Sequence, residues 1–209
     1  MRKTLTAIVA ASALALGCGQ AMAAPLCSGI TTVGAWKAAG SCDVGDKTWA
    51  IGSTSASLGD SVQVIFAAIG DAFAMQLVGF DTSSAPGAWM ISYDITVTDP
   101  TKFISDMFAG ADNPGGGSSL TKDVTGDPGG AFTLTVLNGV ESMASEKHGL
   151  DGTTLHIVET FTVNSNKTLL SVSNTYLQGI RALPTPDTLA LLGLGFIALG
   201  AVRIRRRNK

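Results

Sequence analysis

The chain has little charge of either sign, and its positive charges gather at its two ends. Only 14% of its 209 residues are charged, with 14 Lys and Arg against 16 Asp and Glu. Residues 24–183 hold seven of the basic residues and fifteen of the acidic ones, a formal charge of −8. So few cations provide no basic face for phosphates, which excludes nucleic acid as a partner of this stretch. The low charge and 25 glycines exclude a coiled coil, and the 45% hydrophobic content excludes general disorder.

Histidine and the common catalytic motifs are also scarce. The sequence has two histidines, His148 and His156, and no Gly-x-Ser-x-Gly, phosphate-loop or His-Glu-x-x-His motif. The segment GDS (59–61) is similar to the nucleophile block of a family of serine hydrolases, which also needs an Asp-x-x-His. Ser145 and Thr153 stand three residues before the histidines, so that second half is missing. We expect 59–61 to be a turn before a strand and predict no catalytic residue, leaving an unrecognised hydrolase site as the last alternative.

The sequence predicts neither a metal site nor a cofactor. Asp123 and Asp127 lie in KDVTGDPGG (122–130), whose carboxylates have the right chemistry for Ca²⁺ but not the spacing of a known calcium loop. A solvated turn is the preferred interpretation. His156 is expected at an exposed position of a strand and His148 in a polar turn, rather than as ligands.

The first 23 residues have the three parts of a secretory signal peptide. A positive start is followed by an apolar stretch (4–17) and by the small-x-small pattern AMA (21–23) of a cleavage site. We predict cleavage before Ala24, which leaves 24–181 as one exported domain.

The three cysteines of the chain divide between the signal and the exported domain. Cys18 ends the segment ALGC, and the alternative to cleavage at Ala24 is a lipoprotein signal that leaves Cys18 lipidated, although Ala15 stands where Leu is usual. Cys27 and Cys42 enclose fourteen residues. In an oxidising compartment we predict a disulfide between them, worth about 3 kcal/mol in the chain-entropy model. A pair of buried free thiols is the alternative.

Residues 182–209 have the layout of a membrane-insertion segment. The apolar run 189–202 would span about 21 Å as a helix, against a hydrocarbon core of roughly 30 Å. The cations after it lengthen the span by snorkelling and, under the positive-inside rule, stay in the cytoplasm. They are Arg203, Arg205, Arg206, Arg207 and Lys209. We predict a single transmembrane helix that holds the domain outside.

This C-terminal segment resembles the PEP-CTERM sorting signal of Gram-negative bacteria that produce exopolysaccharide. Pro184 and Pro186 match the two prolines of the motif, TLALLGLGFIALG (188–200) matches its helix, and the arginines match its basic end. Thr185 stands where the family has Glu. The resemblance implies an exported protein of the inner membrane, cell surface or matrix, processed by an exosortase. Residues 27–53 also look like the N-terminal segment of many such proteins.

The rest of the chain alternates apolar and polar residues with the period of β-strands. Three predicted strands each have one apolar face. In 88–98 it consists of Trp89, Ile91, Tyr93, Ile95 and Val97. In 131–137 it consists of Phe132, Leu134 and Val136, and in 154–163 of Leu155, Ile157, Phe161 and Val163.

Turn residues suggest how these strands are connected. Gly70-Asp71-Ala72 predicts a hairpin between 62–69 and 73–80, and residues 164–167 predict another between 154–163 and 168–178. The segment 100–110 is the one predicted helix, because Pro100 precedes it and Gly110 ends it. Seven or eight strands of this kind predict an all-β fold, an antiparallel β-sandwich.

The preferred function is therefore a non-catalytic protein of the cell surface or of the exopolysaccharide matrix, as the C-terminal resemblance implies. A carbohydrate-binding β-sandwich module is the alternative. Trp36, Trp49 and Trp89 are the aromatic residues that such a module would use to stack against sugars, although Trp89 falls on the apolar face of its strand, where core packing is favoured.

Overall fold

The computed structural model describes residues 24–80, 87–113, 116–164 and 169–181. Within these ranges the strands are β1 (Ser41–Val44), β2 (Lys47–Thr54), β3 (Gln63–Ile69), β4 (Ala72–Val78), β5 (Gly87–Val97), β6 (Lys102–Asp112), β7 (Ser118–Thr125), β8 (Phe132–Leu137), β9 (Glu146–Gly152), β10 (Thr154–Val163) and β11 (Ser171–Ile180). One α-helix, α1 (Val33–Ala39), and two 3-10 turns, Cys27–Gly29 and Met143–Ser145, accompany them. None of the helices in this part of the chain is long and apolar enough to cross a membrane.

The strands form two antiparallel sheets. Sheet A has the order β1-β2-β5-β10-β7-β8, and sheet B has the order β3-β4-β11-β6-β9. Their inner faces pack into one core, which confirms the predicted β-sandwich. More strands are present than predicted, since β7 and β9 carry Ser, Lys or Gly at positions where an apolar alternation would have marked them.

The predicted alternation is confirmed on the central strands of sheet A. The inward residues of β5 are all buried, and so are those predicted for β10. The turn at Gly70-Asp71 joins β3 and β4 as expected, with Gly70 at φ 61°, in the left-handed region that glycine tolerates. Residues 59–61 form the predicted turn before β3.

The predicted helix at 100–110 is wrong, because most of this segment is strand β6. β6 pairs with both β11 and β9, and its register shifts at Ser105, which is skipped between the pairs Leu177–Asp106 and Gln178–Ile104. This irregularity places Ile104 and Met107 on the buried side, three residues apart. Such a spacing imitates the period of a helix.

The predicted hairpin between β10 and β11 is also wrong. β10 lies at the centre of sheet A and β11 at the centre of sheet B, so the chain crosses between the sheets there. The crossing includes residues 165–168, which lie outside the described residues. A short polar loop indicates that a chain turns, but it does not indicate into which sheet the next strand goes.

The N-terminal elements close one side of the sandwich. Thr32 caps α1, its hydroxyl accepting a hydrogen bond from the backbone N–H of Ala35 at 3.1 Å, and Gly40 ends the helix at φ 74°. The predicted disulfide is confirmed: Cys27 and Cys42 are joined, with their Cα atoms 4.9 Å apart. It ties the first 3-10 turn to β1, and both cysteines are buried.

Candidate functional site

The tryptophans do not form a platform for sugars. Trp36 and Trp49 are fully buried and Trp89 is nearly so, which confirms core packing for Trp89 and extends it to the other two. Trp36 and Trp49 both pack against Phe66 and Tyr93, with ring centroids between 5.0 and 5.9 Å apart. Any aromatic contact with a ligand must come from another residue.

The two histidines lie on strands and pair with aspartates. His156 is exposed on β10, as predicted, with Nδ1 2.6 Å from Oδ1 of Asp94. His148 is not in a polar turn but on the edge strand β9, with Nδ1 2.7 Å from Oδ1 of Asp106. Its hydrogen bond to Asp106 is the main reason that the pKa of His148 is raised.

The acidic residues considered for Ca²⁺ separate from each other. Asp123 is part of β7 and accepts a hydrogen bond from the Thr133 hydroxyl at 2.6 Å. Asp127 lies in the turn after β7 and accepts from the backbone of Gly129 and Asp151. Among the described residues no group of His, Cys, Asp and Glu has the arrangement of a metal site.

A shallow groove lies where the outer side of β6 meets the segment leading into β9. We call it the β6–β9 groove; its volume is about 250 Å³, and it is lined by Phe108, Ala109, Glu141, Ser142, Ser145 and Glu146. The ring of Phe108 lies edge-on to that of His148, with centroids 5.5 Å apart. The groove thus combines an aromatic side chain with carboxylates and hydroxyls.

Two local features shape this groove. Ser142 and Ser145 form a reciprocal cap, in which the Ser142 backbone N–H donates to the Ser145 hydroxyl at 3.0 Å, so the segment is held in one conformation. A Cβ on Gly110 would come within 2.8 Å of the Glu141 carboxylate and 2.6 Å of the Ser173 hydroxyl. The missing side chain of Gly110 therefore lets Glu141 lie against the sheet.

A second polar cluster, not predicted from the sequence, is buried between the sheets. We call it the core ion cluster; it consists of Tyr93, Lys122, Glu159 and Tyr176, all fully buried. Lys122 on β7 and Glu159 on β10 are direct cross-strand partners, with Nζ 3.3 Å from Oε1. Tyr93 donates a hydrogen bond to the same Oε1, and its hydroxyl lies 2.6 Å from that of Tyr176.

The alternation of inward and outward residues along β7 and β10 already indicated this cluster in the sequence. Glu159 stands midway between Ile157 and Phe161 on the inward side of β10, and Lys122 stands between Leu120 and Val124 on the inward side of β7. Charged residues at inward positions of two neighbouring strands indicate a buried pair. Burial raises the pKa of Tyr93 and of Tyr176 well above the ordinary value of a tyrosine, and burial lowers the pKa of Lys122.

Several predicted site residues lie outside the described residues. They are Cys18, the sorting motif of Pro184, Thr185 and Pro186, and the cytoplasmic arginines Arg203, Arg205, Arg206 and Arg207. The structure brings together only the disulfide pair, Cys27 and Cys42.

Comparisons with known proteins identify no family for this chain. No family model matches it, and no curated protein matches it. Among solved structures, TmCBM61 in complex with beta-1,4-galactotriose is similar over 64% of this chain and 88% of its own, at 11% identity and a TM-score of 0.34.

Proposed function

We propose that this chain is an exported, non-catalytic protein of the cell surface or exopolysaccharide matrix, sorted by an exosortase through its PEP-CTERM-like segment at 182–209. The observation that carries the export proposal is the buried disulfide between Cys27 and Cys42. Disulfides form and persist in the oxidising compartments outside the cytoplasm. The signal-like residues 1–23 are consistent with this route.

The acidic character of residues 24–183 fits an uncharged polysaccharide as a partner better than it fits a polyanion. With a formal charge of −8, this stretch repels nucleic acid and anionic lipid surfaces. Uncharged sugars are approached without that repulsion.

The export and sorting proposal is tested by fractionating the native host. The wild-type protein is expected outside the inner membrane, at the surface or in the matrix. Replacing Pro184 and Pro186 together with Ala should leave the protein in the inner membrane, because the sorting motif is lost. Pro128→Ala, in a turn of the exported domain, is the matched control and should be sorted normally. Equal sorting of all three proteins would refute a role for the motif.

A second candidate function, carbohydrate binding, is favoured by the β6–β9 groove. Its one aromatic ring, Phe108, offers an apolar face, the carboxylates of Glu141 and Glu146 offer acceptors for hydroxyl groups, and the Ser142 hydroxyl offers a donor. The reciprocal cap of Ser142 and Ser145 holds the groove in shape before a ligand arrives, which reduces the entropy cost of binding.

Carbohydrate binding is tested on a glycan array with the disulfide-bonded protein. Phe108→Ala should weaken binding to any retained glycan by about two- to tenfold, since an aromatic contact contributes about 0.5–1.5 kcal/mol. Phe103→Ala is the matched control, because Phe103 is a partly buried Phe on the same strand that packs beneath Arg181 instead. Thermal melting confirms that both variants are folded. Equal binding by the two variants would place the sugar elsewhere, and an array without binding would remove this candidate.

A further inference from the structure

The pairing of Lys122 with Glu159 is unusual for an ion pair because it is buried in the core of the sandwich. Both side chains are 0% exposed and lie directly opposite each other on neighbouring strands. Nζ of Lys122 is 3.3 Å from Oε1, but no acceptor among the described residues meets the geometry of a hydrogen bond to it. Oε2 of Glu159 likewise has no partner in this part of the chain. Buried charges with unmade hydrogen bonds are strongly unfavourable.

The same burial acts against the positive charge of Lys122. Desolvation lowers the pKa of Lys122, which shifts the amine towards its uncharged, nucleophilic form. Moving one proton from the ammonium to the carboxylate removes both charges from the core. A primary amine then faces a carboxylic acid at contact distance, held there by two paired strands.

We propose that Lys122 and Glu159 condense spontaneously to an amide, so that the mature protein carries a covalent crosslink between β7 and β10. The crosslink converts a buried ion pair into one neutral amide. Nothing in the proposed sorting or sugar binding requires it, and it stands or falls independently of them.

The reaction needs no oxidant, reductant or external group. After the proton transfer, the lone pair of Nζ attacks Cδ of Glu159, and the electron pair of the carbonyl bond moves onto Oε1. The hydroxyl of Tyr93, which already donates to Oε1, stabilises the negative charge there. A proton then passes from Nζ to the Oε2 hydroxyl, the Cδ–Oε2 bond breaks, and one water leaves as the carbonyl at Oε1 re-forms.

The position of Tyr93 is fixed by the opposite sheet. Its hydroxyl lies 2.6 Å from that of Tyr176 on β11, so the donor to Oε1 is in place only when the two sheets are packed. Condensation therefore follows folding. Exclusion of water from the core also disfavours hydrolysis of the finished amide.

The test is a tryptic map of the full chain after denaturation and reduction, which removes any effect of the disulfide. A crosslink blocks cleavage after Lys122 and joins peptide 103–147 to peptide 148–167, with a mass lower by one water than the sum of the two. Lys122→Met should release peptide 148–167 at its ordinary mass. The wild-type map decides the matter even if the variant fails to fold.

The exposed pair Lys37 and Asp60 provides an internal control, since its ionic atoms are 2.7 Å apart but solvated. Trypsin should cleave normally after Lys37. If Lys37 and Asp60 were also joined with the loss of one water, burial would not be the cause of the crosslink between Lys122 and Glu159. Separate peptides 103–122 and 148–167 at full mass would overturn the proposal. Loss of one ammonia instead of one water would also overturn it, because that product requires an amide such as the buried Asn174 as the partner.

Discussion

The hydroxyl of Tyr93 on β5 meets the hydroxyl of Tyr176 on β11 at 2.6 Å, in the middle of the sandwich. Tyr93 uses its proton to donate to Glu159, so Tyr176 is the donor to Tyr93. This chain of hydrogen bonds joins sheet B to the buried carboxylate of sheet A. Burial raises the pKa of both tyrosines well above the ordinary value of a tyrosine. The two hydroxyls therefore stay protonated, and their hydrogen bonds persist, throughout the usual pH range.

The direction of this chain predicts unequal effects of removing the two hydroxyls. Tyr176→Phe removes one bond between neutral groups and should cost about 1 kcal/mol of unfolding free energy. Tyr93→Phe removes two bonds, the one that Tyr93 donates to Oε1 of Glu159 and the one that it accepts from Tyr176, and should cost about 2 kcal/mol. Urea denaturation of the two variants measures the difference. A larger loss for Tyr176→Phe would reverse the donor order assigned here.

The Lys122–Glu159 pair predicts strong non-additivity. Lys122→Met or Glu159→Leu alone prevents the proposed crosslink, leaves a buried polar group without its partner and should cost at least about 3–5 kcal/mol. The double variant replaces both with apolar side chains and should be more stable than either single variant. Chemical denaturation of the wild type, the two single variants and the double variant gives a double-mutant cycle. If the losses of the single variants add up to that of the double variant, the two residues do not act as one unit.

The disulfide between Cys27 and Cys42 predicts a moderate loss on its removal. Replacing both cysteines with Ser should lower the unfolding free energy by about 3 kcal/mol, because the unfolded chain is no longer closed into a short loop. The measurement compares this variant with the oxidised wild type in urea. Reducing the wild type should give a similar loss, and no change in either experiment would mean that the N-terminal elements contribute nothing to the cooperative fold.

The His148–Asp106 pair predicts a stability that falls as the solution becomes basic. Asp106 raises the pKa of His148 above its ordinary value of 6.5, so the charged histidine stabilises the folded state. This contribution is fully present below pH 6.5 and is lost as the pH rises through the folded-state pKa. Titration of the His148 ring by NMR measures the pKa, and Asp106→Asn should bring it down. An unchanged pKa in that variant would assign the shift to Glu146, the other carboxylate near the ring.

The sequence predicted the architecture where a strand is buried on one side and exposed on the other. β5 and β10 have long alternating stretches, and both were identified together with most of the residues that they bury. The disulfide was predictable because residues 24–181 contain only two cysteines. The turn at Gly70 was predictable because Gly70-Asp71-Ala72 separates two apolar segments, although the connection itself is only Gly70-Asp71, since β4 begins at Ala72.

The failures have specific physical causes. The register shift at Ser105 gives β6 a helix-like spacing, and the flanking Pro100 and Gly110 reinforced that impression. The helix α1 was missed because its Gly and Ala residues give only a weak periodic signal. Glu159 was passed over because its charge conflicts with the inward position that its strand assigns to it, although that conflict marks the core ion cluster. The β6–β9 groove depends on contacts between β6 and the segment before β9, which no local pattern reveals.

Intact-mass spectrometry of the protein purified from its native host tests the central claim, export followed by C-terminal sorting, most directly. The account predicts a mature chain that begins at Ala24 and ends before the apolar run 189–202. A chain that runs from Met1 to Lys209 would contradict export through the signal peptide. A chain that begins at Ala24 but still ends at Lys209 would contradict processing by an exosortase.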